Sequence, residues 1–267
     1  MPDAFLDSTA LIELVFRHRE ARRRVELSVP TDGSLLTSRY VLFEIARGYL
    51  RSLILLHNRA HVVQSLHQLH EYMHAGQHLF MAYRRETMLG AYEDFLVHLE
   101  NLGFSLTEEQ RLSHFRGWLA LHLRRGWRAL SRVAGIINRV GCREDIPPPT
   151  SKANGLYEQR LPSAECGLAN ACGLAPYLSE HGVDFQSIAN GLAVLEARDL
   201  ETERRILALR RLLARPAGSN FVGKDCWSCG DAIICHESPS DATVVSKNRK
   251  HFEPLCALME RNLSTYN

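Results

Sequence analysis

Brief apolar runs that stop at a polar residue and lead into amphipathic helices occur near both ends of this 267-residue chain, and the long middle lacks them. Ala4-Phe5-Leu6, ending at Asp7, has the look of a buried strand. Ser8 or Thr9 is placed to cap a helix whose apolar positions Leu11, Ile12, Leu14 and Val15 give way to Arg17, Arg19 and Arg22. Pro30-Thr31-Asp32-Gly33 is a turn signal, Ser34 to Thr37 a second strand, and Ser38 the cap of a helix carrying Val41, Leu42, Ile45 and Tyr49. Near the other end, the β-branched run Ala242 to Ser246 predicts a strand, and a helix with Leu255, Leu258 and Met259 is expected to close the chain. Short apolar strands separated by helices imply an α/β fold whose parallel sheet is covered by helices.

Between these ends, residues 57–218 read as helical, with apolar positions at three and four spacing such as Val62, Leu66, Leu69, Met73 and later Ile206, Leu209, Leu213. Pro147-Pro148-Pro149 and the polar residues to Gln159 mark a linker between two helical groups. The expected division is therefore 1–56 and 219–267 as two parts of one sheet domain, with 57–218 an all-helical insertion. A 45% hydrophobic and 23% charged composition excludes a disordered chain. No apolar run reaches the ~20 residues of a membrane span, and the first residues lack a signal-peptide pattern. Seven cysteines are an odd number for a secreted disulfide framework. A cytoplasmic protein with thiols reduced or on a metal is the expectation.

Ligands of open parallel sheets bind at the carboxyl ends of the strands. Asp7 ends the first strand, Glu44 lies in the helix after the second, Asp231 starts a short helix beyond a loop through Cys226-Trp227-Ser228-Cys229-Gly230, and Asn248 follows the last strand. These four side chains are expected to converge at one sheet edge. Three crowded carboxylates repel unless a cation neutralises them, and hard oxygen donors select Mg2+ or Mn2+.

At these residues the chain resembles the PIN-domain nucleases. The matching pieces are Phe5-Leu6-Asp7-Ser8-Thr9-Ala10-Leu11-Ile12, Leu36-Thr37-Ser38-Arg39-Tyr40-Val41-Leu42-Phe43-Glu44-Ile45, Gly230-Asp231-Ala232-Ile233-Ile234, and Thr243 to Phe252 with Ser246 and Asn248. The resemblance covers about residues 1–56 and 219–262. It implies a Rossmann-like three-layer α/β/α sandwich with a short parallel sheet, cleaving single-stranded nucleic acid, usually RNA, with Mg2+ or Mn2+ on Asp7, Glu44 and Asp231, and Asn248 helping. The family often has Asp at the position of Asn248 and Thr at that of Ser246; serine keeps the hydroxyl, whereas asparagine removes a full charge. Ser246 and Asp225, six residues before Asp231, are accessory candidates. Small members of the family are often toxins blocked by an antitoxin protein.

Residues 110–143 hold eight arginines and no Asp or Glu, against a net charge of +2 for the whole chain. Arg116, Arg124, Arg125, Arg128 and Arg132, interleaved with Phe115, Trp118, His122 and Trp127, fit a surface for single-stranded nucleic acid; the alternative is a solvated face above core tryptophans. His67, His70, His74 and His78 form a helical stripe read as surface histidines. Cys226-x2-Cys229 with Cys166-x5-Cys172 has the makings of a four-thiolate zinc site, the alternative being buried small hydrophobes.

The function expected from all this is a divalent-metal-dependent endoribonuclease, a toxin or defence nuclease. The other readings are a DNA-cutting nuclease and a non-catalytic nucleic-acid-binding protein of the same fold. The partners implied are single-stranded RNA, an antitoxin and a second copy of the chain, with no membrane. The insertion is expected to supply its own recognition surface or to block the active site.

Overall fold

The computed structural model describes residues 3–75, 82–102, 105–141, 146–159, 173–214 and 223–267. Its first strand, β1 (Ala4–Leu6), has all three residues fully buried, which is the pattern of a central parallel strand covered on both faces. Helices α1 (Ser8–Phe16) and α2 (Arg19–Ser28) lead to β2 (Leu35–Ser38), which pairs parallel with β1. Helix α3 (Arg39–Ile45) then runs through a π-helical turn at Ala46–Leu50 into α4 (Arg51–Ala60).

The insertion brings α5 (Leu66–Ala75), α6 (Ala82–Leu102), α7 (Glu108–Leu130), α8 (Leu174–Glu180), α9 (Gly182–Ala193) and α10 (Leu200–Leu213). It is not all-helical, contrary to expectation. Gly135–Ile137 forms β3, which pairs parallel with β2, and Thr150–Ser151 (β4) and Tyr157–Glu158 (β5) form a small antiparallel hairpin after the proline run. The strand went unread because Gly135-Ile136-Ile137 is too short to show a period, and it follows α7 after only a short turn.

After α10 come α11 (Gly223–Ser228), α12 (Gly230–Glu237), β6 (Thr243–Ser246), α13 (Arg249–Leu258) and β7 (Asn262–Thr265). The expected loop at Cys226 is helical, and α13 does not close the chain, because β7 adds to the sheet beside β6. The sheet is parallel throughout, in the order β3-β2-β1-β6-β7. Successive strands move outward from β1 on one side through β2 and β3, and on the other through β6 and β7. The order therefore reverses at β1, which puts the switch-point crevice at its carboxyl end, where Asp7 stands. No helix among the described residues is long and apolar enough to cross a membrane.

Candidate active site

Asp7 is the N-cap of α1, a role expected of Ser8 or Thr9. Its side chain is buried and accepts hydrogen bonds from the Ala10 N–H at 2.7 Å, the Thr9 hydroxyl at 2.8 Å and the Ser246 hydroxyl at 2.6 Å. An aspartate caps better here than a serine because one oxygen serves the helix while the other reaches across to β6. Burial, with the Asp231 charge adding to it, pushes Asp7 up to about 6 in spite of these donors. Ser246, named as an accessory candidate, donates to Asp7 and so fixes the orientation of that carboxylate.

Glu44 and Asp231 line one cavity of about 300 Å³ that also exposes Ser8, Tyr40, Arg205 and Trp227. The Ser8 hydroxyl donates to Glu44, so two consecutive residues touch the two carboxylates of β1 and α3. Burial, then the charges of Asp231 and Asp7, push Glu44 up to about 8 against the pull of Ser8 and Arg205. Asp231 behaves oppositely. Its burial is outweighed by His251 and Arg205, which hold it below the usual carboxylate range. Of the four expected ligands, Glu44 and Asp231 thus share the cavity lining, and Asp7 lies buried behind it, near enough for its charge to act on Glu44.

Gly230 allows this approach. A Cβ on it would lie 2.3 Å from Glu44 Oε1 and 3.6 Å from Tyr40 Oη. Replacing Gly230 with Ala is expected to leave the melting temperature nearly unchanged, since alanine gains up to about 1 kcal/mol of helix propensity while the carboxylate swings away. Mn2+ affinity measured calorimetrically should fall; a Gly230→Ala protein with wild-type affinity would place the Glu44 carboxylate elsewhere.

Asn248, like Asp7, lines no part of the cavity but stands against the acids: its side-chain amide lies 2.7 Å from His251 Nδ1, itself 3.2 Å from Asp231 Oδ2, and its backbone N–H donates to Ser246 Oγ, which donates to Asp7. Asp225, the other accessory candidate, is buried on α11, 3.6 Å from Arg211, and does not line the cavity. Proximity in sequence to β6 or Asp231 says nothing about the direction of a side chain.

Arg205 is the residue that sequence reasoning missed. It sits on α10 of the insertion, only 2% exposed, and its Nη2 forms an ion pair with Asp231. Its Nε and Nη1 make no hydrogen bond within the described residues, although both are buried at the cavity. In the sequence it lies among Arg204, Arg210 and Arg211, and its burial was signalled only by the apolar face of α10, Ile206, Leu209 and Leu212.

The rim carries a second unexpected group. The Arg47 guanidinium lies 4.9 Å from the Phe43 ring centre and 4.7 Å from that of Trp227, and Arg84 and the exposed Tyr83 stand beside them. By contrast, the aromatics of the arginine-rich segment turn inward. Phe115 is fully buried, Trp118 stacks on His122 at 4.6 Å, and Trp127 packs on the core. Arg116 is committed to carbonyls at the end of α4, donating to Ala60 at 2.8 Å and Val63 at 3.3 Å. Arg124, Arg125, Arg128 and Arg132 remain exposed, and the last three border an open groove that is separate from the carboxylate cavity.

The histidine stripe is a surface feature: His67 pairs with Glu71, and His70 and His74 are exposed neighbours at 3.1 Å. His78, Cys166 and Cys172 lie outside the described residues. Of the other two cysteines, Cys229 is fully buried, which pushes its thiol well up and keeps it protonated, and Cys226 is half-buried with its carbonyl accepting from Tyr40 Oη at 2.7 Å. No family model, curated protein or solved structure matches the chain.

Proposed function

We propose that the chain is a divalent-metal-dependent nuclease of the PIN-like type, acting on single-stranded RNA at the Glu44–Asp231 cavity. One observation supports this reading: Glu44 and Asp231, from opposite ends of the chain, line one accessible cavity, and the buried Asp7 stands close enough behind it for its charge to act on Glu44. The donor set fits Mg2+ or Mn2+, because all three donors are carboxylates, and burial with the charges of Asp231 and Asp7 pushes Glu44 up to about 8, a cost that a bound cation would offset. When bound, the ion supplies an activated water and charge stabilisation at the phosphate.

The chain's own residues do the rest. Ser246, Thr9 and the Ala10 N–H hold Asp7 in one orientation, and Ser8 does the same for Glu44. Arg205 lines the cavity beside Asp231, with Nε and Nη1 buried and without a partner among the described residues, and its fixed charge favours an anionic substrate there. Arg47, Trp227 and Tyr83 form a basic and aromatic rim on which nucleotides can stack. Within this reading the insertion acts at the site through Arg205, and the arginines of α7 serve at most as a separate electrostatic surface.

The test is incubation with labelled single-stranded RNA and DNA in Mn2+, Mg2+ or EDTA, beside the Asp7→Asn protein. Asparagine keeps an acceptor for the Ala10 N–H, so the fold should survive, while cleavage should fall by on the order of a hundredfold. RNA cutting that persists in EDTA, or at the wild-type rate in Asp7→Asn, would remove the mechanism. The Arg205–Asp231 ion pair favours a second reading, a non-catalytic binding protein whose cavity is neutralised from within. Retention of RNA without Mn2+ binding would select it.

A further inference from the structure

On the far end of α12 from Asp231, three side chains from two segments converge. His181, at the α8–α9 junction, and Asp184, in the first turn of α9, meet His236 in the last turn of α12. His236 Nε2 lies 3.3 Å from Asp184 Oδ2, and His181 Nδ1 lies 3.6 Å from the same oxygen. One donor atom from each residue falls within 4.8 Å of the others.

We propose that His181, Asp184 and His236 bind one zinc-class divalent ion that fastens the insertion to α12. Two imidazoles and a carboxylate are the borderline donor set that zinc takes, with the fourth position left to water. Ligand atoms on a tetrahedral ion with bonds of ~2.0–2.1 Å lie about 3.3–3.4 Å apart. Both distances to Asp184 already approach that value, and the third donor pair lies within 4.8 Å. The orienting contact is also in place: Tyr177 Oη lies 2.7 Å from His236 Nδ1, so the ring is anchored through one nitrogen and presents the other to the site. Phe185 packs on the same imidazole at 4.7 Å between ring centres. Asp184 is exposed, which leaves an entry path for the ion.

The site has a structural consequence. Helix α9 packs on α10, the helix that delivers Arg205 to the carboxylate cavity. An ion here ties α9, on which the Arg205-bearing α10 packs, to α12, whose first turn carries Asp231. The proposal stands apart from the nuclease reading, since its donors are outside the cavity.

The test is a titration of the metal-free full chain with Zn2+ against a chromophoric chelator, in excess Mg2+ to occupy hard oxygen sites. One Zn2+ per chain is expected, weakened at least tenfold by His181→Ala, at a half-buried position, and by Asp184→Asn, at an exposed one, and about tenfold by Tyr177→Phe. Glu44→Gln should leave Zn2+ binding unchanged. Absence of Zn2+ binding would overturn the proposal. So would equal binding by the wild type and a folded His181→Ala/Asp184→Asn protein, or binding lost only in Cys226→Ser/Cys229→Ser.

Discussion

Replacing Glu44 with Gln is expected to make the protein more stable at pH 8 and, under the proposed nuclease function, to lower cleavage of single-stranded RNA by on the order of a hundredfold or more. The two effects have one source. The fold holds the Glu44 proton up to about 8, against 4.5 for an unperturbed glutamate, because burial and the charges of Asp231 and Asp7 oppose ionisation. A carboxyl whose pKa is raised on folding makes the native state the better proton binder. Its contribution is therefore fully present below pH 4.5 and is lost as pH rises through 8. The full shift corresponds to at most about 5 kcal/mol, less where water reaches the cavity. Glutamine has no proton to lose, so the stability of Glu44→Gln, measured by denaturant unfolding in EDTA between pH 5 and 8, should decline less steeply than that of the wild type. Parallel curves would mean that Glu44 ionises normally. Cleavage by the variant at the wild-type rate would remove Glu44 from the chemistry.

Arg205→Met is expected to destabilise the protein in EDTA by about 3 kcal/mol, and millimolar Mn2+ should restore much of the loss. Removing one member of a buried ion pair typically costs about 3–5 kcal/mol because the other charge is left uncompensated. Asp231 retains 23% side-chain exposure, which puts this case at the lower end. An ion bound at a hundred times its dissociation constant returns about 2.7 kcal/mol, enough to replace most of the missing cation. The wild type should gain less, since Arg205 already balances part of the charge. A packing explanation predicts a different outcome. Arg205→Met/Asp231→Asn removes both charges and should be more stable than Arg205→Met alone; if it is less stable, the guanidinium acts mainly by filling space.

The sites of these two substitutions differ in how far they were legible. Asp7, Glu44 and Asp231 could be read because each stands beside a local signal: the end of a buried apolar run, a helix capped by Ser38, and a helix start at Gly230. Arg205 had no such signal. A buried arginine and a solvated one look alike on an amphipathic helix, and only the partner across the cavity separates them. The arginines of α7 show the converse error. Charge without interleaved acid was visible, yet whether Trp118 and Phe115 faced bases or the core depended on which side of α7 packs against α4 and α6.

What the sequence determined by itself is local: the strands β1, β2 and β6, the Ser38 cap, the helical character of most of 57–218, and three carboxylates each tied to an element end. These follow from burial patterns and capping hydrogen bonds that act within about four residues. The tertiary structure alone decided that β3 and β7 complete the sheet, that Asn248 turns to His251, and that α10 sends a guanidinium among the acids. Each of those outcomes joins groups far apart in the chain, and their free energy exists only once packing has brought the partners together and excluded water from between them.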